Sequence, residues 1–198
     1  MKTTIFNTPI LSFIFHIITR IIMRLLGWRV DGKLPDLPKF ILIGTPHTSS
    51  WDFVLFLGVI FTLRADARFM GKAELFRNPF GWFFYYCGGV PVDRKKSTGL
   101  VEQMVEACNK TERFILTIAP EGTRHQVTEW KRGFYHIAKS AGIPIVMAKV
   151  DGKNKTVYIL EQVFQPTEDL EADMKTIKGF FEGVVGINPR RKYITLER

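Results

Sequence analysis

Two hydrophobic rhythms run along this chain. Short continuous apolar runs, "KFILIGT" (39–45), "RFILTIA" (113–119) and "IPIVMAKV" (143–150), read as buried strands. "ARFMGK" (67–72) and "GGVPV" (88–92) read as shorter strands, and "TVYILEQVF" (156–164) extends the sheet. Between them lie stretches of helical length: "WDFVLFLGVIFTLR" (51–64), "STGLVEQMVEACNKT" (97–111), "WKRGFYHIAKSAG" (130–142) and "PTEDLEADMKTIKGFFEGVVG" (166–186). Thr167 is the expected N-cap of the last. Such alternation predicts one α/β domain, a largely parallel mixed sheet flanked by helices.

The N-terminal pattern differs. "PILSFIFHIITRIIMRLLGW" (9–28) is rich in Ile, Leu and Phe, interrupted by His16, Arg20 and Arg24. At ~100° per residue, Ser12, His16, Thr19, Arg20, Met23 and Arg24 share an arc of about 140°. Ile10, Ile14, Ile17, Ile18, Ile21, Ile22, Leu25 and Leu26 cover the rest, with Phe13 the one misplaced apolar residue. No run reaches the ~18 apolar residues of a spanning helix, and no small-residue cleavage site suggests a signal peptide. Two readings stand: a basic amphipathic helix lying in a bilayer interface, or an ordinary helix packed on the core. The turn-rich "WRVDGKLPDLPK" (28–39) marks the boundary, giving an expected interface helix over 1–29 and a body over 30–198. The helix after Asp52 is too short to span, and Arg64 and Asp66 end it.

Composition narrows the function classes. At 198 residues, 46% of them hydrophobic and 24% charged, the chain is globular and long enough for a real core. A net charge of +9 points to an anionic partner: nucleic acid, lipid headgroups or a phosphorylated small molecule. Two cysteines, Cys87 and Cys108, cannot build a disulfide framework and suit a reducing cytosol.

The candidate chemistry sits at strand ends. In "GTPHTSSWDF" (44–53), His47 and Asp52 are about 140° apart on a helix and on opposite faces of a strand. A turn followed by a helix start would bring them together. Ser49 or Ser50 is a natural N-cap, and a first-turn aspartate is favoured by the helix dipole. Bonded to Asp52, His47 would hold one tautomer and offer its other nitrogen as a base. The nucleophile would then be a hydroxyl of the substrate. "FILTIAPE" (114–121) repeats the form of "FILIGTPH" (40–47), so both loops are expected at one sheet edge, together with Arg94. Glu121, Gly122, Thr123 and Arg124 follow, a flexible glycine loop with a guanidinium, which suits a phosphate.

"HTSSWD", "GGVPVDR", "APEGTR" and "GIPIVMAKV", in this order, resemble the glycerolipid acyltransferase family, which includes the bacterial 1-acyl-glycerol-3-phosphate acyltransferases. The resemblance covers roughly residues 38–150. It implies that His47 deprotonates the acceptor hydroxyl and Asp52 orients it. Arg94, Glu121, Gly122 and Arg124 would hold the glycerol phosphate. The acyl donor would be acyl-CoA or acyl carrier protein, with no metal and no bound cofactor, and the enzyme would sit peripherally on the cytoplasmic face of a membrane. Pro46, Ala119, His125 and Met147 depart from the family pattern around these blocks. Four rivals remain: an acyltransferase on a different lysolipid acceptor, a thioester hydrolase, an idle lipid-binding module, and a nucleic-acid binder, which the charge permits although no RNA-binding aromatic motif is present.

Overall fold

The computed structural model describes residues 3–77, 79–92 and 99–189. Among them, seven strands form one sheet in the order β1-β7-β6-β2-β5-β3-β4. These are β1 (Arg29–Asp31), β2 (Lys39–Thr45), β3 (Ala67–Lys72), β4 (Gly89–Val92), β5 (Phe114–Ile118), β6 (Ile145–Asp151) and β7 (Thr156–Ile159). All neighbouring pairs are parallel except β6 and β7. The mixed, largely parallel sheet is the expected one. Strand β1 is an addition, since its three residues lie inside the segment that reads as a turn-rich boundary.

Strand β2 shows why both faces are covered. Phe40, Ile41, Leu42 and Ile43 are all buried, and they alternate between two cores. Ile41 and Ile43 pack with α4 (Leu100–Asn109), α5 (Gly133–Ala141) and α6 (Leu170–Gly179). Phe40 and Leu42 pack on the other face with α2 (Trp51–Thr62) and with Met23 of α1 (Pro9–Leu25). A short helix, α3 (Gly81–Tyr86), lies between β3 and β4. Asp169, not Thr167, caps α6, its side chain accepting from the Ala172 N–H at 3.0 Å. The Thr167 hydroxyl instead donates to Asp173 Oδ1 at 3.0 Å, inside the helix.

The orientation of α1 is the fold's least ordinary feature. Ser12, His16, Thr19 and Met23 form one ridge, and this ridge faces the protein. His16 Nδ1 lies 2.7 Å from the carbonyl oxygen of Phe61 at the end of α2. Met23 packs over Gly58, where a Cβ would come within 2.9 Å of its sulfur, so glycine permits the close helix contact. The isoleucines point away. Ile10, Phe13, Ile14, Ile17, Ile18, Ile21, Ile22 and Leu25 are all exposed. Part of the polar arc, the ridge of Ser12, His16, Thr19 and Met23, thus packs on the protein, while Arg20 and Arg24 of the same arc stay exposed. Among the described residues, no helix is long and apolar enough to cross a membrane.

Candidate active site

Strands β2 and β5 are parallel neighbours, so the loops that leave them emerge at the same sheet edge. The first loop carries His47, the second Glu121 to Arg124. Helix α2 begins at Trp51, which places Asp52 in its first turn. The chain folds back over this turn, and His47 Nδ1 lies 2.9 Å from Asp52 Oδ2. The same oxygen accepts the N–H groups of Thr48 and Ser49, each at 2.7 Å. Three donors therefore converge on one carboxylate oxygen and fix the loop around the histidine. With Nδ1–H donated to Asp52, Nε2 is the basic nitrogen, and it has no protein partner among the described residues. The imidazole is 31% exposed, so a substrate can reach it. The turn before α2 thus brings His47 and Asp52 together, as their spacing leads one to expect.

Ser50 occupies the N-cap position, but neither serine caps a helix amide in the expected way. The Ser49 hydroxyl accepts from the Trp51 N–H at 3.2 Å, and the Ser50 hydroxyl accepts from Arg124 Nη1. That contact joins the two loops and sets the guanidinium beside the first turn of α2. Arg124 is exposed.

Glu121, expected among the acceptor-binding residues, turns inward. It is only 7% exposed. Its Oε1 accepts from the Thr45 hydroxyl and from the backbone N–H of His47, the latter at 3.0 Å. Burial pushes its carboxyl above the ordinary value of 4.5, with the bonds from Thr45 and His47 opposing. Gly122 adopts a left-handed φ of 62°, and Lys131 packs over it so closely that a Cβ would lie 2.9 Å from Lys131 Cδ. Thr123 faces its own loop, its hydroxyl accepting from the His125 N–H at 3.3 Å. Arg94 lies outside the described residues; β4, which precedes it, ends at the same edge as β2 and β5.

Sequence reasoning passed over three groups. Thr45 ends β2 and offers only a small polar side chain at a strand terminus as a signal. Lys131 lies in a helix-bound segment away from the glycine loop it covers. Asn188 donates its N–H to the Thr48 hydroxyl at 3.0 Å, bringing the chain's C-terminal part over the histidine loop across 140 positions. No local pattern could announce that contact.

Cys87 and Cys108 are free and buried. Burial raises the Cys87 thiol to about 11, and burial raises Cys108 as well, with Lys39 opposing. Neither is poised as a nucleophile. Among the described residues, no group of three or more His, Cys, Asp or Glu side chains is placed to hold a metal.

A parallel-sheet α/β layer thus carries a histidine–aspartate pair and an arginine loop at one edge. The acyltransferase family profile matches residues 29–149, and the chain belongs to that family. It is similar to the 1-acyl-sn-glycerol-3-phosphate acyltransferase of Streptococcus pneumoniae, 30% identical over 148 residues, covering 70% of this chain and 54% of that protein. The enzyme of the same name from Haemophilus influenzae is 28% identical over 132 residues, covering 62% of this chain and 53% of that one. The chain thus spans about half the length of these curated relatives. In structure it resembles the 1-acyl-sn-glycerophosphate acyltransferase PlsC from Thermotoga maritima, with a TM-score of 0.65 over 87% of this chain and 77% of that one. At 20% identity, that likeness speaks for the fold.

Proposed function

We propose that this protein is a peripheral-membrane acyltransferase. It moves a fatty acyl group from a thioester, acyl-CoA or acyl carrier protein, to the free hydroxyl of a lysophospholipid such as 1-acyl-glycerol-3-phosphate. The observation that carries the reading is the His47–Asp52 contact at 2.9 Å, with Nε2 left for substrate. The names of the relatives support the acceptor class.

In the reaction, His47 Nε2 takes the proton of the acceptor hydroxyl as its oxygen attacks the thioester carbonyl carbon. Asp52 holds the tautomer and stabilises the imidazolium that forms. The tetrahedral intermediate collapses, the C–S bond breaks, and the imidazolium returns the proton to the leaving thiolate. The products are an ester and a free thiol. Arg124 contacts the acceptor phosphate, joined by Arg94, and charge-assisted bonds of this kind favour a guanidinium. Glu121 has another part: buried beneath the loop, it holds the His47 backbone in place.

The outward isoleucine face of α1 supports the membrane partner. A contiguous exposed face of this kind marks an interaction surface, and Arg20 and Arg24 at its margin suit anionic headgroups. The two reduced, buried thiols fit the cytoplasmic face.

The test measures thiol release from acyl-CoA with and without lysophosphatidate, together with lipid mass spectrometry. Release that requires the lysolipid, matched by an equal amount of diacyl product, is expected. Release at the same rate in water alone would make the protein a hydrolase and overturn the transfer reading.

A further inference from the structure

The connection from β3 to β4 carries large apolar side chains that stay exposed and that the proposed chemistry does not use. Phe80 is 69% exposed and Trp82 66%, and Leu75, Phe83 and Tyr85 are exposed beside them. This is a packed knob. Phe76 and Phe84 form its interior with ring centroids 6.0 Å apart, and Phe84 packs on Phe53 of α2 at 5.8 Å. The outward rings are therefore held out by a fixed scaffold.

The position of the knob is informative. Phe53 follows Asp52 directly, so the knob abuts the turn of α2 that holds the histidine. At its other end, Tyr86 donates its hydroxyl to Thr8 Oγ1 at 3.2 Å, the residue that precedes α1. The knob thus bridges the start of α1 and the start of α2. Lys72 and Arg77 are exposed on the same connection, with Glu74 the one acid among them.

We propose that this aromatic knob is a second membrane contact, seated at the boundary between headgroups and acyl chains of an anionic bilayer. Trp and Tyr rings suit that boundary because one end is apolar and the other polar. Lys72 and Arg77 supply the complementary charge for anionic headgroups. The Tyr86–Thr8 bond ties the knob to the start of the helix that carries the isoleucine face, which is why a bilayer suits it better than a separate protein partner. Two contacts, one on α1 and one beside Asp52, fix the tilt of the protein. The mouth at His47 then faces the lipid, and a lysolipid reaches it without leaving the interface. The inference rests on the proposal that α1 docks on a membrane.

The experiment uses the full chain and vesicles of phosphatidylcholine with phosphatidylglycerol. Phe80→Ser with Trp82→Ser should weaken co-sedimentation on the order of a hundredfold or more, as expected for two large side chains withdrawn from an apolar phase. Turnover of a water-soluble short-chain acceptor should be unchanged, which also shows that the variant is folded. In vesicles with brominated acyl chains, Trp82→Phe should bind as the parent does but lose part of the fluorescence quenching. Equal vesicle affinity in the double variant, or quenching unaffected by Trp82→Phe, would overturn the second contact. If Ile17→Asp with Ile21→Asp still abolishes binding in that case, the α1 reading survives alone. If the parent itself fails to bind vesicles, both fall. A double variant that turns a self-associated protein into monomer without lipid would also overturn it, assigning the knob to a second copy of the chain.

Discussion

Glu121 accepts two hydrogen bonds on one buried oxygen, and both donors belong to the segment that carries His47. A residue in that position holds the backbone that carries the imidazole. Glu121→Gln keeps a carbonyl oxygen for Thr45 and His47, so it should retain most turnover. Glu121→Ala removes the acceptor and should lower kcat while leaving the acceptor KM close to the parent value. Steady-state kinetics separate the cases, and an alanine effect confined to KM would return Glu121 to the acceptor site. The pH dependence has a definite sign. An acid whose folded pKa is raised adds stability at low pH that is lost as pH rises from its unfolded value to its folded one. Denaturant titrations should therefore show Glu121→Gln gaining stability relative to the parent on going from acid to neutral pH. The thiols give a second prediction at this scale. Burial has pushed both upward, so Cys87→Ala with Cys108→Ala should keep transfer activity. A folded double variant with no activity would point to a covalent acyl-enzyme.

At the scale of elements, α1 was half legible. The helical wheel sets Ser12, His16, Thr19 and Met23 on one side, because side-chain direction follows from the period alone. It cannot say which arc meets the protein, since that depends on Phe61 and Gly58, which lie far along the chain. Hydrophobicity by itself points the wrong way here: the ridge of Ser12, His16, Thr19 and Met23 is the one that packs. Deleting α1 would strip Met23 from α2 and expose its apolar core. Ile17→Asp with Ile21→Asp is the cleaner change, because both side chains already face outward. It should abolish vesicle binding and leave turnover of a short-chain acceptor intact. Loss of both together would mean that this face packs on protein. Strand β1 escaped prediction for a different reason. Three residues among glycines and prolines carry no period, and only their pairing with β7 makes them a strand.

At the scale of the whole molecule, charge and apolar surface make separable contributions to docking. Each basic residue near an anionic surface is worth about 1 kcal/mol, screened within a Debye length. Burying one large aliphatic side chain contributes roughly 1.5–3 kcal/mol, and α1 presents many. High salt should therefore weaken vesicle binding only in part. Complete release by salt would assign docking to the net charge of +9.

The sheet edge was legible because β2 and β5 repeat one form, and parallel strands place like ends together. The His47–Asp52 pair was legible because its spacing suits only a turn before a helix. The inward Glu121 was not, since its partner Thr45 lies 76 positions away.

In the proposed reaction His47, held by Asp52, is the base for transfer to a lipid hydroxyl. The most direct test of that role is ester formation from acyl-CoA and lysophosphatidate by His47→Ala, with folding verified by an unchanged melting profile. Loss of about 10²–10⁴-fold in kcat is expected, the usual share of a general base. Diacyl product formed by His47→Ala at near the parent rate would contradict the account.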